Sequence, residues 1–190
     1  MKEMKTALKP ISSEHQTVWM TQPKEIEAIM KRQDTAFATA QGKFEETGSI
    51  EMVMQTAEAF GRGLFADTIK DKPADWTMKD WMTTIAREVL NPLGTGATVT
   101  KLTDDIVETH MFKSTLHEAE ENQHLVSVFT YGFLRGMLLS AFPKGELIMN
   151  TSIAFGAPTT SLVFKAHAST EDSGERERVK TLVTTMKTDS

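Results

Sequence analysis

The feature that most constrains this chain is a change of hydrophobic period part-way along it. From Pro23 to Leu90, apolar residues recur three to four apart with charges between them, the spacing of one face of a helix. From Ala97 to Lys113, β-branched and aromatic residues take over, as in strands. The helical period returns from Thr115 to Phe142 and gives way to strand-like residues again after Pro143. The predicted order is three helices, two strands, one long helix and two strands. Two β-hairpins joined by a long helix imply an α+β domain, an antiparallel sheet with helices packed on it.

Local signals sharpen the boundaries. Pro23 suits a first helical turn, where its missing N–H is not needed. Ile26, Ile29, Met30, Phe37 and Phe44 predict a helix from Pro23 to Glu46, frayed or broken near Gly42. Gly48 ends it and Ser49 caps the next helix. Thr77 and Asp80 resemble a capping box for a third helix, with stripe residues Trp81, Ile85, Val89 and Leu90 and a stop at Asn91-Pro92. Thr103-Asp104-Asp105 is the turn between the first two strands. The long helix starts acidic, at Glu118, Glu120 and Glu121, and carries Gly132 and Gly136 four apart, a spacing that lets another backbone come close. The last hairpin runs from Glu146 to Ala154 and from Ser161 to Ala168, around Gly156-Ala157-Pro158. Residues 1–22 read as a flexible arm, 23–168 as one domain and 169–190 as a charged tail with a short helix around Arg176 to Met186.

Composition excludes several functions. The 190 residues hold no Cys, so thiol nucleophiles, disulfides and thiolate zinc sites are unavailable. A formal net charge of -5 and a single Tyr argue against a nucleic-acid surface. No apolar run reaches the roughly 20 residues of a membrane span, and the start of the chain lacks a signal-peptide core, so a cytoplasmic protein is expected. Gly61-x-Gly63 and Gly94-x-Gly96 lack the strand-to-helix context of a phosphate-binding turn.

Four short segments carry a resemblance to the 4-vinyl reductase domain family of hydrocarbon-binding proteins. They are Phe60-Gly61-Arg62-Gly63, Leu93-Gly94-Thr95-Gly96, Phe129 to Gly136, and Ile153 to Phe164. That family belongs with the ligand-binding domains of a nitric-oxide-signalling and Golgi-transport superfamily. The resemblance implies an apolar or aromatic guest held between sheet and helices, and a homodimer. It also implies a zinc site, whose matching positions here are Ser127, Met149, Ser152 and Thr160, none a thiolate or a carboxylate. The expected protein is therefore a small-molecule-binding sensor, carrier or accessory factor with no metal or cofactor. Its candidate ligand-binding residues are Phe60, Trp76, Trp81, His110, Phe112, Phe129, Tyr131 and Arg135. Lacking a DNA-binding or ATPase module, it would signal through a protein partner, and the glycine-bearing helix and the N-terminal helices are its candidate dimer surfaces.

Twelve Met and ten Phe supply soft apolar surface, which suits varied apolar guests and equally suits ordinary core packing. Two other readings stay open. One is an enzyme, a tetrapyrrole-reductase accessory or a thiazoline-carboxylate hydrolase, which needs Glu108, His110 and Arg135 to converge. The other is a ligand-free assembly protein. His117, Glu121 and His124 share helical spacing that a metal could use, although a solvated helix start accounts for them as well.

Overall fold

A computed structural model of the chain describes residues 23–70, 72–95, 97–112, 116, 122–153 and 156–168. The expected arm, the tail, and His117 to Glu121 lie outside these residues. The architecture is α+β. Helices α1 (Pro23–Thr47), α2 (Ile50–Thr68) and α3 (Met78–Ile85) lead, through a π-helical turn (Ala86–Leu90), into strands β1 (Ala97–Leu102) and β2 (Ile106–Met111). Helix α4 (Gln123–Ala141) and strands β3 (Glu146–Thr151) and β4 (Thr160–Lys165) follow. The four strands form one antiparallel sheet in the order β1-β2-β4-β3.

The helix boundaries follow from their caps. Gly48 takes φ +63°, which ends α1, and the Ser49 hydroxyl accepts a hydrogen bond from Met52 N. Thr77 caps α3 by accepting from Asp80 N at 3.1 Å, while its own hydroxyl donates to the Asp80 carboxylate at 2.7 Å. The π turn arises because Asn91 N reaches back five residues to Ala86 O just before Pro92. The break expected near Gly42 is absent: α1 runs through it unbroken. A single glycine costs a helix only about 1 kcal/mol, less than is contributed by the packing of Phe37 and Ala40 before it and Phe44 after it. The long helix is described from Gln123 rather than from Thr115.

The helices cover one face of the sheet. Val107, Thr109 and Met111 of β2 alternate with Glu108 and His110, and register pairs Val107 with Phe164 and Phe164 with Leu147. All these core-facing residues are buried. Trp81 of α3 meets Phe164 at 5.3 Å and Phe142 at 6.4 Å between ring centroids, tying α3 and the end of α4 to the sheet. The opposite face, with Ile106, Glu108, His110, Ile148, Ser161 and Val163, is half-exposed.

Candidate functional site between the helices and the sheet

Helix α4 is the spine of this region. Phe129 and Phe133 point into an aromatic cluster with Phe37 of α1 and Phe60 of α2. Phe37 meets Phe129 edge-on at 5.4 Å, and Phe60 stacks on Phe133 at 5.4 Å and on Phe129 at 6.1 Å. On its sheet side, Tyr131 donates its hydroxyl to Leu147 O at 2.9 Å. Phe65 of α2 packs on Trp76 at 5.9 Å, so Trp76 stands at the α2–α3 corner.

Glycine explains how α2 and α4 come so close. A Cβ on Gly61 would collide with Phe133 O, one on Gly136 would collide with Glu58 O, and one on Gly132 would lie 2.7 Å from Met54 O. The two backbones are in contact, which only glycine permits. The glycine face of the long helix is therefore filled by α2, which corrects its expected role as a dimer surface. The same crossing brings Glu58 to Arg135. Their half-buried ion pair is shared with Arg62, 2.8 Å from the same carboxylate.

The expected ligand-binding residues are distributed as follows. Phe60 and Phe129 sit in the cluster among α1, α2 and α4, Tyr131 and Trp81 meet the sheet, and Trp76 stands at the α2–α3 corner. Arg135 is bound to Glu58 on the helical side. His110 and Phe112 lie on the other face of the sheet, His110 with Nδ1 3.4 Å from Thr159 Oγ1 and Phe112 with 55% of its surface exposed. Alternation along β2 sends them there because Val107, Thr109 and Met111 take the core side. Glu108 is on that outer face too, 3.2 Å from Lys101. The sheet thus lies between Glu108 and His110 on one side and Arg135 on the other, and the three do not converge as an acid–base cluster requires.

Of the four positions matched to a zinc site, Ser127, Met149 and Ser152 come together. Ser127 Oγ is 2.7 Å from Ser152 Oγ and 3.7 Å from Met149 Sδ, and Thr160 Oγ1 accepts from Ile153 N at 3.2 Å. With Ser127 donating to the sulfur, Ser152 donates to Ser127. Two hydroxyls and a thioether do not fit zinc, which prefers thiolate, imidazole or carboxylate donors. His124 is exposed in the first turn of α4, and His117 and Glu121 lie outside the described residues. Among the described residues, no group of three His, Asp or Glu side chains is placed to hold a metal ion.

Among the described residues, four buried side-chain polar atoms have no hydrogen-bond partner: Gln33 Nε2, Trp81 Nε1, Thr95 Oγ1 and Thr130 Oγ1. Gln33 occupies the core stripe of α1, one turn before Phe37, and that spacing was the available signal for its burial. Nothing local in the sequence marked Glu58 as the partner of Arg135, 77 residues away.

No protein-family model matches the chain, and no curated protein matches it significantly. Among solved structures, it is similar to a trafficking protein particle complex subunit 3 from Naegleria fowleri, determined covalently bound to palmitic acid. The identity is 14% and the TM-score 0.55, over 73% of this chain and 94% of that one. The similarity is one of fold: the fold class is the α+β arrangement of that trafficking subunit.

Proposed function

We propose that this chain is a binding module for an apolar or aromatic small molecule, held between the helices and the sheet, as the 4-vinyl reductase resemblance implies. It would serve as a sensor, carrier or accessory protein in the cytoplasm. The observation that carries this reading is Trp81. Its ring is fully buried where α3, α4 and the sheet meet, yet its N–H has no acceptor. A buried unpaired donor costs about 1–3 kcal/mol, which a guest offering a carbonyl or carboxylate oxygen would recover. Met78, Met82 and Met137, all buried, supply adaptable apolar walls for the rest of such a guest. The similar trafficking subunit, with its palmitic acid, supports an acyl chain as one candidate. Without Cys a thioester is excluded as a means of attachment.

Thermal shift against fatty acids, aromatic acids and tetrapyrroles tests the reading. A true guest at ~100 times its dissociation constant stabilises the fold by ~2.7 kcal/mol. Trp81→Phe, which keeps the ring and removes the donor, should weaken that guest about tenfold. No stabilisation by any of the three classes would remove the proposal.

A second reading is assembly with a protein partner, as for the subunit of similar fold. The observation in its favour is the sheet edge: all six residues of β1 are exposed, and Val99 and Leu102 each show 42% of their surface. Loss of a co-purifying partner on Val99→Asp, with thermal stability unchanged, would support it, and retention would count against it.

A further inference from the structure

Two arginines share one carboxylate where α2 crosses α4. Glu58 accepts from Arg62 Nη2 at 2.8 Å through one oxygen and from Arg135 Nη1 through the other. Both contacts follow from the helices. Arg62 stands at i+4 from Glu58 on α2. Arg135 precedes Gly136, where α4 lies so close that an added Cβ would collide with Glu58 O. Two guanidiniums against one carboxylate leave one positive charge uncompensated. Among the described residues, Arg32–Asp67, Arg87–Glu88 and Lys101–Glu108 are one-to-one pairs that leave none. In a chain of net charge -5 this local excess has the minority sign.

Donors are in excess too. A guanidinium carries several N–H groups in a rigid fork. Among the described residues, Arg62 and Arg135 each donate only to Glu58. The Arg62 side chain is 46% exposed and that of Arg135 31%, so their remaining N–H groups are open to a ligand. Glu58 holds both side chains in place before any ligand arrives, which lowers the cost of ordering them. The geometry points to a binding site for a phosphate group, formed by Arg62 of α2 and Arg135 of α4 with Glu58 as the residue that positions them. A carboxylate ligand has two oxygens and is saturated by one guanidinium fork, whereas a phosphate has enough oxygens for a fork from each helix. Val128 and Leu139, half-buried on the same face of α4 as Arg135, offer apolar contact to the rest of a phosphate ester. The site lies on the helical side, away from the sheet that Tyr131 meets, so it stands independently of a guest bound there.

Isothermal titration of the full chain with inorganic phosphate tests the site, and saturable binding of one phosphate per chain is expected. Arg62→Gln removes an exposed guanidinium, and Arg135→Lys keeps the charge but loses the fork. Each should weaken phosphate at least ~10-fold, as the loss of a charge-assisted pair requires. Arg32→Gln removes an equally exposed arginine held one to one by Asp67 and should leave phosphate binding unchanged. If Arg135→Lys does not fold, Arg62→Gln decides by itself. A second titration, with phosphatidic acid in phosphatidylcholine vesicles, separates two sources of the same chemistry. Vesicle binding that is lost in Arg62→Gln supports the site with a lipid headgroup as its ligand. Phosphate binding with indifference to the vesicles supports it with a soluble phosphate ester. No saturable binding of phosphate, or an equal loss in Arg32→Gln, would overturn the inference.

Discussion

The α2–α4 contact and the β1 edge are opposite ways of finishing a surface. At the first, three glycines let two backbones touch, and the contact is sealed by Phe60 stacked on Phe133 and by Glu58 bound to Arg135. At the second, six consecutive residues stay exposed, including two large aliphatic side chains. The first region tolerates almost no added volume; the second has little around it to disturb. Sensitivity to substitution should therefore be concentrated in the helical layer, and freedom for a partner at the sheet edge.

The sharpest way to break this contrast is within one helix. Gly61→Val should cost more than about 4 kcal/mol in urea unfolding, or prevent folding, because its Cβ would meet the backbone carbonyl of Phe133. Glu58→Ala leaves Arg135 half-buried without its carboxylate and should cost about 1–2 kcal/mol, a value held down by the pair's partial solvation. Gly63, two residues from Gly61, has open space where a Cβ would go, so Gly63→Ala should stabilise by about 0.5–1 kcal/mol. At the edge, Val99→Thr should change stability by less than about 0.5 kcal/mol in the same assay. A large loss at Val99, or tolerance at Gly61, would reverse the assignment of the two regions.

Much of the fold was legible because its signals are local. Ser49, Thr77 and Asn91-Pro92 act within a few residues of where they stand, and the change from helical to strand period is visible without tertiary knowledge. Gly132 and Gly136 announced a close approach, but not that α2 was the element approaching. A pattern on one helix specifies a shape and leaves the partner open. Gly42 misled because its propensity penalty is small beside the burial of neighbours in the same stripe. In the candidate site, alternation along β2 put His110 with Glu108 and Phe112, and only the packing of Val107 and Met111 on the helices decided which side was the core. Trp81 was legible as part of the apolar stripe of α3, and it is buried there. Its unpaired N–H was not, because a missing acceptor is a property of everything around it. Ser127, Met149 and Ser152 were matched by resemblance, and their contact across 22 and 25 residues exists only in three dimensions.

The proposal that the helix–sheet interior holds a guest meets its most direct test in native mass spectrometry of the purified full chain, incubated in turn with palmitate, an aromatic acid and a porphyrin. The account predicts one added molecule per chain for at least one of them, retained by the unmodified protein and reduced in Trp81→Phe. Bare chain at every ligand concentration, or adducts unaffected by the substitution, would contradict it.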